Sequence, residues 1–220
     1  WGPISVQPTE LAKLVLVVYL ADFLARRHAV IGNLWRGILP PLMVTGGVAG
    51  LVLLQPDLGS AVAMVGVVLC MIFVAGARLA HLGMIGGLAV PVVALAVYVA
   101  PYRLRRVLTF LDPWADPRGA GFQIIQSYLA LGGGGFLGRG LGESKQKLFY
   151  LPEPHTDFIF AVLGEELGFL GALATVVLFG ILLWRGIRIG LRVADPFGAL
   201  LAFGVTPLLV DQAVVNLGVG

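Results

Sequence analysis

Six stretches of this chain are long and apolar enough to cross a bilayer, which takes about 20 residues to traverse ~30 Å of hydrocarbon at 1.5 Å per residue. They lie at about 8–26, 37–54, 59–76, 82–100, 158–184 and 198–219. Lipid offers backbone N–H and C=O groups no partner, so each stretch must satisfy its own as an α-helix. The sequence therefore predicts an all-α, polytopic transmembrane helical bundle. Pro40, Pro41, Pro91 and Pro207 fall inside these stretches, where membrane bundles tolerate them more readily than soluble helices do. Only 12% of the 220 residues are charged and 58% are hydrophobic, against about 25% charged in a soluble domain. The net charge of +3 is too small and too dispersed for a nucleic-acid partner. Cys70 is the single cysteine and lies among apolar residues, so no intrachain disulfide forms and packing is its expected role. The chain opens at Trp1 rather than Met and stops at Gly220 inside an apolar run, so 1–220 reads as a single transmembrane domain fragment.

Basic residues orient the spans. Arg26, Arg27 and Arg36 lie between the first and second, Arg78 between the third and fourth, and Arg185, Arg188 and Arg192 between the fifth and sixth. The short loop at Gln55-Pro56-Asp57 has no Lys or Arg. By the positive-inside rule the arginine-bearing loops are cytoplasmic, which puts the one large loop, about 101–157, on the extracytoplasmic side.

That loop carries the densest polar chemistry. Phe122, Ile125 and Leu129 recur at i, i+3 and i+7 opposite Gln123 and Ser127, which predicts a helix lying in the interface or packed on its own loop. Gly132 to Gly135, Gly138, Gly140 and Gly142 follow. They fit no nucleotide P-loop, and flexible backbone near a polar site is the economical reading. Next come Glu143-Ser144-Lys145-Gln146-Lys147 and Leu151-Pro152-Glu153-Pro154-His155-Thr156-Asp157, ending where the fifth span begins. Three readings of this cluster stand side by side: Thr156 or Asp157 caps the helix starting at Phe158, whose positive end favours acidic groups; Glu153, His155 and Asp157 bind a divalent cation such as Mg²⁺ or Mn²⁺; or they do general acid–base work.

Within the fifth span, Gly164, Gly168 and Gly171 fall at i, i+4 and i+7 and predict a smooth stripe for close helix contact. Asp157 projects onto that face; Glu165 lies about 80° around from it and Glu166 opposite. An intramembrane carboxylate costs about 2.5–3.5 kcal/mol, so both glutamates call for partners or water and argue for a polar cavity near the outer leaflet. Glu10 and Lys13, three apart, are expected to pair along one helix. Asp57 is expected to cap a helix, and Asp211 to pair within the bundle.

Gln7-Pro8-Thr9-Glu10-Leu11-Ala12-Lys13-Leu14, Gln55-Pro56-Asp57-Leu58-Gly59-Ser60-Ala61 and Leu151-Pro152-Glu153-Pro154-His155-Thr156-Asp157-Phe158-Ile159-Phe160 together resemble the SEDS family, the FtsW/RodA-type proteins of bacterial shape, elongation, division and sporulation. Asp112-Pro113-Trp114, Gly121-Phe122-Gln123, Gln126-Ser127 and Glu165-Glu166-Leu167-Gly168 fit the same pattern in the same order. Gly142 to Leu148 and Asp211 to Gly218 look more like the FtsW branch. The resemblance implies a ten-helix protein of the bacterial inner membrane, of which this fragment holds the fourth through ninth helices. It also implies polymerisation of lipid II into peptidoglycan glycan strands, beside a class B penicillin-binding protein and other division proteins.

The family's loop aspartate maps to Asp157. The implied chemistry is an inverting transfer: Asp157 takes the proton of the acceptor's 4-hydroxyl, which attacks the donor's anomeric carbon and expels the lipid pyrophosphate. Lys145, Lys147, Arg103 and Arg139 are candidates to stabilise that leaving group, with a divalent cation as the competing solution. Glu153 and His155 are expected to orient Asp157 or hold the ion, with Gln126 and Glu165 as further candidates for substrate contact or support. A lipid II flippase and a non-catalytic division scaffold are the rival functions.

Overall fold

A computed structural model describes residues 7–55, 57–143 and 159–219. All regular structure among the described residues is helical. The elements are α1 (Pro8–Arg26), α2 (Leu39–Leu54) entered through one wide turn at Leu34–Ile38, α3 (Leu58–Val74), α4 (Leu79–Val99), α5 (Pro101–Leu111), a 3₁₀ turn at Pro113–Ala115, α6 (Phe122–Gly134), α7 (Ile159–Arg192) and α8 (Pro196–Val219).

The helix starts are written in the side chains. Pro8 and Pro101 stand at first helical positions, where a missing N–H costs nothing. The Asn33 carboxamide oxygen accepts from the backbone N–H groups of Trp35 (2.9 Å) and Arg36 (3.2 Å). Asp57 caps α3 by accepting from Ser60 N–H at 3.0 Å, as its position predicted, and Asp195 does the same for Gly198 at 2.8 Å. Pro91 and Pro207 lie inside α4 and α8, and both helices continue through them.

Leu34–Leu54, Leu79–Val99, Ile159–Arg192 and Pro196–Asn216 are long and apolar enough to cross a membrane. Leu58–Val74 is equally apolar but shorter, at 17 residues, and α1 carries Glu10, Lys13, Asp22 and Arg26. On α4 Leu88, Val92, Leu95 and Val99 are all exposed and share one face, which suits acyl chains and would be costly in water. The fold is that of a polytopic helical membrane protein.

The chain forms two compact units, one of Trp1–Gly87 with Ile181–Asp211, the other of Leu88–Gly180 with Gln212–Gly220. In the first, α1, α2 and α3 share a core in which Leu20, Ala21, Leu24, Met71 and Ile72 are fully buried. Lys13 is buried there too, and its ammonium pairs with Glu10 at 2.6 Å, as their spacing predicted. The Thr9 hydroxyl donates to the Gln55 side-chain oxygen at 3.0 Å, tying the start of α1 to the end of α2. On the α7 stretch of this unit, Gly186 and Gly190 admit Thr206 and Phe203 of α8. On α8, Gly204 lets Val17 and Met71 close in, so that a β-carbon there would lie 2.8 Å from the Met71 sulfur.

Replacing Gly204 by Leu should therefore cost about 1–3 kcal/mol through overpacking. Gly66→Leu, whose β-carbon would meet nothing within 4 Å, should change little. Thermal unfolding of the two variants in detergent reads the difference.

Candidate functional site

The second unit contains the described part of the long loop. Its first piece, α5, was not predicted, although Leu104, Leu108 and Leu111 at i, i+4 and i+7 are the signal for it. Arg103 belongs to this helix. Its Nε donates to the Tyr102 hydroxyl at 2.7 Å and its Nη1 to the Ala96 carbonyl at 3.1 Å, satisfying a free carbonyl in the last turn of α4. Asp116 then organises the turn into α6. Its carboxylate accepts from Ala120 N–H (3.2 Å) and from Arg105 (3.3 Å), while its carbonyl accepts from the N–H groups of Gly119 and Gly121.

Helix α6 does not turn its whole Phe122, Ile125 and Leu129 side inward, as packing on its own loop would require. Leu129 is 53% exposed, whereas Ser127 is fully buried together with Ile125, Ala130 and Gly134. Close approach decides which face turns inward. Ser127, Ala130 and Gly134 form the slim side of the helix, and the Ser127 hydroxyl is satisfied by its own Ile124 carbonyl at 2.8 Å. A β-carbon on Gly134 would strike the Gly164 carbonyl, and one on Gly164 would strike the Leu131 side chain. Gln126, half-buried, lies on the same helix about two turns before Gly134.

The predicted glycine stripe of the fifth span is corrected here. Gly168 adopts φ 68°, ψ −166°, which is outside the helical region and strongly favours glycine, so α7 breaks at this point. In an unbroken helix, Glu165 and Glu166 carbonyls would accept from Phe169 and Leu170 N–H groups. Instead Phe169 N–H donates to Gly135 C=O (2.9 Å) and Leu170 N–H to Phe136 C=O (3.3 Å). The two freed carbonyls accept from Arg139 N–H (3.0 Å) and Gly140 N–H (3.1 Å). The glycine-rich segment thus supplies partners for these four backbone groups at the break. Gly138, at φ 81°, lies so close that a β-carbon would collide with the Glu166 carbonyl, and one on Gly168 would collide with the Gly138 nitrogen. Phe136 and Phe169 stack beside the exchange with centroids 5.8 Å apart.

The same segment supplies a charge. Arg139 Nη1 reaches the Glu165 carboxylate at 2.5 Å, and its Nε donates to the Gly133 carbonyl at 3.1 Å. Glu165 is 1% exposed and Arg139 39%. Two of the candidate site residues are therefore brought together, and the buried glutamate has the partner its position demanded. Arg103 is held at the end of α4. One oxygen of Glu166 is buried with no hydrogen-bond partner among the described residues. Lys145, Lys147, Glu153, His155 and Asp157 lie outside the described residues. Among the described residues no group of three His, Cys, Asp or Glu side chains could hold a metal ion, and the three candidate cation ligands, Glu153, His155 and Asp157, lie outside them.

The profile of the FtsW/RodA/SpoVE family, described as "Cell cycle protein", matches residues 1–220. The chain belongs to that family. It is 47% identical to stage V sporulation protein E of Bacillus subtilis, across 99% of this chain and 60% of that protein. It is also 47% identical to a probable peptidoglycan glycosyltransferase FtsW of Geobacter sp. strain M18, across 97% of this chain and 58% of the relative. A solved structure reported as "Structural coordination of polymerization and crosslinking by a peptidoglycan synthase complex" superposes with a TM-score of 0.74 at 39% identity, covering 99% of this chain and 60% of that one. The chain spans about three-fifths of the length of these relatives.

In this member of the FtsW/RodA/SpoVE family, the glycine interlock and the ion pair make separable demands. Gly168→Ala or Gly138→Ala should cost about 2–4 kcal/mol, combining a strained positive φ with a backbone collision. Arg139→Gln should cost somewhat less than the ~3–5 kcal/mol of breaking a fully buried pair, because Arg139 is 39% exposed. Arg139→Lys should recover part of that loss. Thermal unfolding of the full-length protein in detergent checks all four variants.

Proposed function

We propose that the whole protein is a peptidoglycan glycosyltransferase that polymerises lipid II into β-1,4 glycan strands for septal wall synthesis, with Asp157 as the base. The observation that carries this reading is the 47% identity, over 97% of the chain, to a relative named probable peptidoglycan glycosyltransferase FtsW. In this reading the six apolar stretches are six crossings of the bacterial inner membrane, and residues 101–157 face the extracytoplasmic side. The described geometry supports it in one respect. The stretches on either side of the segment that carries Asp157, Gly135–Gly140 and Glu165–Leu170 of α7, are hydrogen-bonded to each other.

The chemistry asked of these residues is modest in number of steps. The Asp157 carboxylate takes the proton from the acceptor's 4-hydroxyl as that oxygen bonds to the donor's anomeric carbon. The anomeric bond to pyrophosphate breaks with inversion, and its electron pair leaves with the lipid pyrophosphate. No covalent enzyme intermediate is needed. Charge on the leaving group calls for cations. Arg139 is committed to Glu165 and Arg103 to the end of α4, so Lys145 and Lys147 carry this role in the proposal. A divalent cation held by Glu153, His155 and Asp157 is the alternative source of charge. Gln126 is assigned to hydrogen bonding with substrate from α6. A class B penicillin-binding protein is the proposed crosslinking partner, alongside other division proteins. The matched solved structure, whose description names polymerisation and crosslinking in one complex, supports that pairing.

Asp157→Ala in the full-length protein should lower polymerisation of supplied lipid II about 10²–10⁴-fold, the usual weight of a general base, with membrane insertion and partner binding intact. Polymerisation at the wild-type rate would overturn the reading. Loss of lipid II flipping, with no polymerase activity in the wild type, would point to transport, and no change in either to a scaffold.

A further inference from the structure

At its far end, α7 carries three arginines that no other part of the described fold uses. Arg185, Arg188 and Arg192 recur at i, i+3 and i+7 and are all exposed. At 100° per residue they centre roughly 145° around the helix from Gly186 and Gly190, the glycines that pack on α8. The basic face is thus turned away from α8. No ion pair joins any of the three to a carboxylate among the described residues, and the nearest acid in sequence, Asp195, is occupied in capping α8. Ile189 and Val193 flank the arginines on the side toward α8 and, with them, line a hollow of about 260 Å³. Trp184, 55% exposed, stands one residue before, and the Arg188 guanidinium lies 5.1 Å from its ring centroid.

Three unpaired guanidiniums over an aliphatic floor, beside an interfacial tryptophan, are complementary to a group with a phosphate at one end and methylenes at the other. A free anion would leave Ile189 and Val193 uncovered; an acidic peptide would bring no acyl chain to the exposed apolar residues of the helix. We propose that this face of α7 is a binding site for an anionic phospholipid, such as phosphatidylglycerol, in the leaflet that bounds the arginine-bearing end. Its phosphate accepts from Arg185, Arg188 and Arg192, and its first methylenes cover Ile189 and Val193. The site is independent of the glycosyltransferase reading.

Trp184 supplies a reporter. The full-length protein is reconstituted in phosphatidylcholine nanodiscs containing equal mole fractions of either brominated phosphatidylglycerol or brominated phosphatidylcholine. The Trp184 contribution to quenching is isolated as the difference from Trp184→Phe. The site predicts stronger quenching by the brominated phosphatidylglycerol and a preference of about fivefold per arginine, the ~1 kcal/mol each contributes at a membrane surface. The triple variant R185Q/R188Q/R192Q should lose that preference, and R185K/R188K/R192K should keep most of it, separating charge from misfolding. Equal quenching by the two lipids would overturn the proposal. So would a preference retained in the glutamine variant, even if that variant lost an acidic protein partner, or displacement of the lipid by millimolar inorganic phosphate, which would mark the site as one for the free anion.

Discussion

Backbone polar groups that lipid cannot satisfy govern this fold, and the place where that requirement is hardest to meet is the break in α7. The interruption at Gly168 takes the Glu165 and Glu166 carbonyls and the Phe169 and Leu170 amides from their helical partners, each worth several kcal/mol if left bare in an apolar setting. The Gly135–Gly140 segment supplies all four replacements. Everything local follows from that exchange. Gly138 and Gly168 are needed because their backbones all but touch.

The exchange also explains how a carboxylate survives where Glu165 lies. Docking the glycine-rich segment brings the Arg139 backbone to the Glu165 carbonyl, and the side chain then reaches the Glu165 carboxylate. One residue contributes a backbone bond and a counter-charge to the same partner, so the ion pair and the loop position reinforce each other. The first unit solves a similar problem within one helix, where buried Lys13 pairs with Glu10 one turn away. The two devices differ in reach. The α1 pair is local to its helix, whereas the α7 pair joins residues 26 apart and can hold the start of the acid-bearing segment.

Much of this was legible beforehand, and the boundary of legibility is physical. Apolar runs located the long helices because lipid permits the backbone no other solution. The Asp57 cap and the Glu10–Lys13 pair were readable because both are set by spacing along one helix. The break at Gly168 was not readable, since glycines at i, i+4 and i+7 suit a packing stripe as well as a kink, and the deciding partner, Gly138, is 30 residues upstream. For the same reason Arg139 reads from sequence as a free cation, while its commitment to Glu165 depends on tertiary docking. The inward face of α6 was not readable, because the spacing of Phe122, Ile125 and Leu129 suits an interfacial helix as well as one packed on its loop, and close approach to Gly164 selects Ser127, Ala130 and Gly134. Arg185, Arg188 and Arg192 were legible as orientation signals but not as one face, which emerges only once the packing of Gly186 and Gly190 against α8 fixes the rotation of α7.

Residue-resolved amide hydrogen exchange on the full-length protein in lipid nanodiscs tests the central structural claim. If the glycine-rich segment completes the broken helix, the Arg139, Gly140, Phe169 and Leu170 amides exchange as slowly as those in the middle of α7. Exchange of Arg139 and Gly140 at the rate of an unstructured loop, with Phe169 and Leu170 still slow, would mean that α7 satisfies its own backbone and that the segment is not docked there.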